Sequence, residues 1–144
     1  MGQKKVITKE SEVIEKVDTS KKITKTTKKK VVTGTLYVEA TFNNTRATLT
    51  DKSGNVLATT SAGALGFKGA KKGTPFAASK AGGVIGEKAA LMGVKEVDVV
   101  VKGVGSGREP TIRAFMANDI EISGIKDMTP VPHNGPKPKK PRRV

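Results

Sequence analysis

At Thr74-Pro75 the spacing of apolar residues changes from two to that of a helix, and few small folds accommodate strands before such a boundary and helices after it. Before it, Leu36, Val38 and Ala40 alternate with Thr35, Tyr37 and Glu39 within Val31 to Thr41, the pattern of a half-buried strand. Asn43-Asn44 tolerate a turn, and Arg46 to Thr50 alternates again through Ala47 and Leu49. Asp51 to Asn55 is the next turn and Val56 to Thr60 a third short strand, so this half reads as an antiparallel meander. Past a glycine-rich segment, residues 61 to 73, Thr74 supplies an N-cap oxygen and Pro75 suits the first helical position. The helix carries Ala77, Ala81, Val84, Ile85 and Met92 on one face and ends at Gly93. Gly82, Gly83 and Gly86 weaken it intrinsically, which close packing against the sheet would explain.

Val97, Val99, Val100 and Val101 form a strand buried on much of its surface, and GVGSGR, residues 103 to 108, turns it into a second helix near Pro110 to Asn118. Ile120, Ile122 and Ile125 begin a last strand. The order β-β-β-α-β-α-β predicts a single α/β domain over 31 to 127, built on one mixed five-stranded sheet whose later strands are parallel because helices connect them. Residues 1 to 30 read as a basic arm. Residues 128 to 144 hold five of the seven prolines and read as an extended tail.

Charge narrows the function. The chain carries 27 Lys and Arg against 13 Asp and Glu, a net +14, which calls for a polyanionic partner. Residues 1 to 30 hold +6, residues 125 to 144 hold +5, and the long middle only +3. Basic ends on a nearly balanced core suit arms that enter folded RNA and release its condensed counterions; solvated, merely solubilising ends are the alternative. No long apolar segment or Trp favours a membrane. The absence of Cys and the single His133 leave no disulfide framework or zinc site, so neither metal nor cofactor is expected. The N-terminal residues show neither a signal peptide nor a myristoylation pattern, and a reducing cytosol fits best.

Two loops invite a nucleotide reading and depart from it. GVGSGR lacks the G-x-G-x-x-G spacing of a dinucleotide fingerprint, yet its glycines and Arg108 at a helix start suit RNA phosphate, or else a plain tight turn. In GFKGAKKGT no register gives a phosphate-binding loop of NTPases, while Lys68, Lys71 and Lys72 around Phe67 suit phosphate contacts and one stacked base, or a solvated loop with Phe67 in the core. Glu39, Glu87 and Asp98 lie where a metal-dependent nuclease places carboxylates, which needs them about 4 Å from shared ions. His133 lies between prolines and asparagine in the tail, where nothing holds it for acid-base work.

FNNT at 42 to 45, TD-x-x-GN at 50 to 55, SAG-x-x-GFKG from Ser61, TPFAA at 74 to 78, VKG-x-G-x-GRE at 101 to 109, IRA at 112 to 114 and DMTPVPHNG at 127 to 135 together resemble the bacterial S-eleven family of the small ribosomal subunit. The resemblance covers roughly residues 30 to 144. It implies a ribonuclease-H-like α/β fold without nuclease activity, in a cytoplasmic protein placed on the small-subunit platform. There the family bridges several helices of the small-subunit rRNA and helps form the cleft that holds the mRNA upstream of the start codon. Its implied partners are that rRNA, the seventh and eighteenth small-subunit proteins and the third initiation factor. Motif by motif, the resemblance implies rRNA contacts at Asn43, Asn44, Thr45 and Arg46; at Phe67, Lys68, Lys71 and Lys72; at Gly103, Gly105, Gly107, Arg108 and Arg113; and at His133, Asn134, Lys137, Lys139, Lys140, Arg142 and Arg143. Val104 and Ser106 stand where the family often has prolines, and Pro136 where it often has cysteine. The expected function is that of a structural, non-enzymatic rRNA-binding protein, against a metal-dependent nuclease or a basic protein-interaction module.

Overall fold

A computed structural model describes residues 30 to 143; the N-terminal arm, apart from Lys30, lies outside the described residues. Strand β1 (Thr33–Ala40) is the centre of a five-stranded sheet of order β3-β2-β1-β4-β5, with β2 (Thr45–Asp51), β3 (Val56–Ser61), β4 (Glu96–Lys102) and β5 (Glu121–Asp127). β1–β2 and β2–β3 pair antiparallel, whereas β4 lies parallel to both β1 and β5. This is the mixed α/β sheet expected from the order of elements. The strand periods place Leu36, Val38, Ala47, Leu49, Val97, Val99 and Val101 on one face, where they are buried. Both helices, α1 (Pro75–Met92) and α2 (Arg108–Met116), cover that face. Phe115 of α2 and Ile85 of α1 are fully buried in the resulting core.

Among the described residues the other sheet face carries no helix. There Tyr37 is flanked in register by Thr48 and Val100, and Glu39 by Arg46 and Lys102. A base on either side of Glu39 accounts for a carboxylate in mid-strand without a metal.

Four local expectations are revised. Gly82 and Gly86 face α2, not the sheet: a Cβ at 82 would overlap the Thr111 carbonyl oxygen, and one at 86 the Asn118 side-chain amide. The glycines thus let two helices, rather than a helix and a sheet, approach closely. Helix α2 starts at Arg108, two residues before Pro110, because a proline in the first turn removes an N–H that has no partner there in any case. The first strand begins at Thr33 rather than Val31. Ile120 precedes β5 and is buried, while Ile125 within it is exposed, because β5 is an edge strand and α2 packs over β1.

Candidate nucleic-acid interface

Strands β1, β3, β4 and β5 run in one direction, so their C-terminal ends share one edge of the sheet, the edge where ligands bind in open α/β sheets. Four segments meet there: the β1–β2 turn, the glycine and lysine loop of residues 62 to 74, the β4–α2 loop, and the start of the C-terminal tail. Both helices begin at this edge.

The β1–β2 turn is closed by Thr41, whose N–H and hydroxyl both donate to the Asn44 carbonyl, at 2.9 and 3.1 Å. It leaves Asn43 and Arg46 exposed and Asn44 half-buried. Thr45 is withdrawn into the fold, with its side chain fully buried. Its Oγ1 and the Asn44 Oδ1 are buried without a hydrogen-bond partner among the described residues.

The β4–α2 loop packs onto this turn. A Cβ at Gly103 would overlap the Ala40 carbonyl oxygen, one at Gly105 that of Thr41, and one at Gly107 the Thr45 hydroxyl. The Gly105 N–H donates to the Ala40 carbonyl at 2.9 Å and the Gly103 N–H to Thr129 Oγ1 at 3.2 Å. These glycines therefore let the loop approach the protein's own backbone. Gly105 and Gly107 are buried, while Val104 and Ser106 between them are exposed. Ser106, standing where the family often has proline, donates from its hydroxyl to the Gly73 carbonyl at 3.0 Å, tying the loop to the lysine segment.

Arg108 is also turned inward. Its Nη1 donates to the Gly103 carbonyl at 2.8 Å, and its Nη2 forms an ion pair with Asp127. Thr129 donates its hydroxyl to the same carboxylate at 2.6 Å, and its N–H does so at 2.9 Å. The Thr129 hydroxyl bond, followed by the Arg108 guanidinium, holds the Asp127 carboxyl well below the usual carboxylate range. The Met128 N–H continues the sheet to the Val101 carbonyl at 2.9 Å. This clasp sets where the tail leaves the domain, and neither composition nor motif spacing pointed to it.

Beyond the clasp, His133, Asn134, Lys137, Lys139, Lys140, Arg142 and Arg143 are exposed, in a segment with no helix or strand. Lys68 and Lys71 are exposed in the glycine loop, and Lys72 is half-buried. A 3-10 turn, Gly69–Gly73, shapes this loop; Thr74 joins it to α1 by donating its hydroxyl to the Lys71 carbonyl at 2.7 Å while accepting from the Ala77 N–H at 3.3 Å. Phe67 is neither free nor in the core: half-buried, it stands edge-on to Phe76. Arg113 is exposed on the last turn of α2, away from the edge where the other candidates gather. Phe42 and Phe76, both exposed at this edge, were not singled out by motif. Periodicity could have found Phe76, because with Lys80, Gly83 and Glu87 it completes the face of α1 opposite its buried alanines.

Charge is distributed across the sheet as well as along the chain. Arg46, Lys68, Lys71, Lys72 and the basic tail lie at this edge, where the clasp neutralises Asp127. The opposite edge is closer to balance: Asp51 at the end of β2, Glu96 and Glu121 at the starts of β4 and β5, and Asp119 after α2 stand with Lys52 and Lys95. The carboxylates of the nuclease reading are not brought together. Glu39 pairs in register with Lys102 and Asp98 with Thr35, four residues along the strand, or roughly 13 Å. Glu87 lies on a helix across the sheet from Glu39. Among the described residues no cluster of three His, Asp or Glu could hold a metal ion, and no helix is long and apolar enough to cross a membrane.

The family model for ribosomal protein S11 matches residues 34–143. The chain belongs to the ribosomal protein S11 family. Members of the S11 family are structural proteins of the small ribosomal subunit that bind rRNA, and the basic edge and tail of this S11-family chain are suited to that task. The match begins one residue into β1, so it takes in all of the sheet but Thr33, both helices and nearly all of the tail.

Proposed function

We propose that this S11-family chain binds small-subunit rRNA through the edge where β1, β3, β4 and β5 end, and threads its C-terminal tail along further phosphates. The observation that carries this reading is the concentration of bases: they gather at one edge and in the tail that leaves it, whereas at the other edge Lys52 and Lys95 stand among the acids and bring it close to balance. Asn43, Arg46, Lys68, Lys71 and Lys72 provide the edge contacts, and His133 to Arg143 the tail contacts. Arg108, Gly103, Gly105 and Gly107 act from behind, holding the loops and the tail in register. A domain over 31 to 127 with a separate arm and tail fits this division of work.

In the assembled cytoplasmic particle the chain sits on the small-subunit platform, bridging several rRNA helices. There it helps form the mRNA cleft upstream of the start codon, beside the seventh and eighteenth small-subunit proteins and within reach of the third initiation factor. Family membership supports this finer placement.

Removing residues 136 to 144 deletes five exposed bases, Lys137, Lys139, Lys140, Arg142 and Arg143. If each neutralises one phosphate, the slope of log affinity against log salt should flatten by about 0.7 to 0.9 per base, roughly four in total. Far-UV circular dichroism should be unchanged, because these residues form no helix or strand. An unchanged salt slope would refute the tail's role. Salt-insensitive binding by the intact chain would refute phosphate recognition altogether.

A further inference from the structure

Only one of the chain's four phenylalanines, Phe115, serves the core. The other three, Phe42, Phe67 and Phe76, lie at the basic edge. Phe42 is 78% exposed in the β1–β2 turn and Phe76 is 64% exposed in the first turn of α1. A single exposed apolar side chain needs no explanation, but Phe76 is also held in place. Phe67 meets it edge-on, with ring centroids 6.0 Å apart and planes at 81°. The Lys80 ammonium lies 5.5 Å from the Phe76 ring centroid. The ring is therefore oriented by two neighbours while most of its surface stays in water.

Lys80 approaches one face of this ring and Phe67 meets it edge-on, leaving aromatic surface for a planar π-system. Lys80 itself, with Lys68 and Lys71 on the adjoining loop, supplies positive charge around it. A nucleotide joins a flat π-system, its base, to a phosphate, so it satisfies both parts of the site. It must be unpaired, because bases within an A-form duplex already stack on one another and do not expose a face. An apolar protein segment would use the ring but would have no use for the lysines.

We propose that Phe76, buttressed by Phe67 and flanked by Lys80, is a stacking platform for one unpaired nucleobase of the bound RNA, such as a base from a loop or bulge. The proposal rests on the RNA-binding reading above and adds a preference for unstacked over duplex RNA.

The chain contains no tryptophan, so Phe76→Trp installs a single fluorescent reporter at the platform. The full-length chain is titrated with single-stranded oligoadenylate RNA, with an RNA duplex of equal length, and with inorganic polyphosphate, which has charge but no bases. Phe76→Leu should weaken oligoadenylate binding roughly 5- to 150-fold, the range for losing one base–aromatic stack. Its salt slope should match the wild type, and its affinity for duplex and polyphosphate should stay within twofold of the wild type. Phe76→Trp should retain oligoadenylate affinity, with emission quenched by oligoadenylate but not by polyphosphate. Unchanged oligoadenylate affinity in Phe76→Leu, or equal quenching by polyphosphate, would overturn the platform alone. Failure of the wild type to bind either RNA would overturn the RNA-binding reading and the platform with it.

Discussion

Gly82 and Gly83 are consecutive residues of α1, yet alanine at each should move stability in opposite directions. A Cβ at 82 would overlap the Thr111 carbonyl oxygen and lie 3.0 Å from that residue's carbonyl carbon and Cα. These are backbone atoms of α2 and cannot rotate away, so the helices must part. Overpacking of this kind costs about 1 to 3 kcal/mol. Parting the helices also stretches the 3.3 Å contact from Thr111 Oγ1 to the Ala78 carbonyl, at little cost because the same hydroxyl donates to the Gly107 carbonyl at 2.7 Å. Against these stands a gain of about 1 kcal/mol from replacing glycine in a helix. The net expectation for Gly82→Ala is a loss of up to about 2 kcal/mol. At 83 a Cβ meets nothing within 4 Å, so Gly83→Ala keeps only the propensity gain, about 0.8 to 1 kcal/mol. Urea unfolding of the full-length variants, followed by far-UV circular dichroism, should therefore separate them by about 1 to 3 kcal/mol. On thermal unfolding each kcal/mol corresponds to roughly 4 to 8 °C in a domain of this size. Because α1 and α2 both begin at the basic edge, Gly82→Ala should also weaken RNA binding, and Gly83→Ala should not. Shifts of the same sign at both positions would refute the close helix–helix approach.

Two further perturbations probe the devices that hold the edge together. Thr74→Ala removes the N-cap of α1 and its link to the Lys71 carbonyl; denaturant unfolding should show a loss of about 1 kcal/mol, and a neutral result would mean that the loop and helix are not coupled through this hydroxyl. Asp127→Asn tests the clasp through pH. The folded pKa of Asp127 is depressed by Thr129 and Arg108, so its contribution to stability is full above the unfolded value, about 3.9, and is lost as pH falls through the folded value. The variant cannot titrate at this position, and its stability should fall less steeply than the wild type's below about pH 4; parallel acid limbs would show that the clasp adds nothing.

Much of the architecture was legible in the chain because strand and helix periods are local properties. Leu36, Val38 and Ala40 could alternate only as a half-buried strand, and Thr74-Pro75 marked the start of α1 through chemistry confined to one turn. The charged ends and the ordered motifs pointed to RNA for the same reason: they are read along the chain. What periodicity did not state was which glycine meets which neighbour, since a close approach is made by residues distant in sequence. Gly82 is small because of Thr111, and Gly105 because of Thr41. Nor did motif spacing separate exposed residues from inward-turned ones. Arg108 and Thr45 sit in motifs carried over as RNA-facing, but Arg108 is pulled inward by Asp127, and Thr45 is buried beneath Gly107. Phe76 shows the converse, an unremarked motif residue that the fold leaves in water beside Phe67 and Lys80. The sequence by itself determined the elements, their order and the polyanionic character of the partner. Only the tertiary structure decided which edge the bases share, because the common direction of β1, β3, β4 and β5 is a property of their pairing and not of any strand alone.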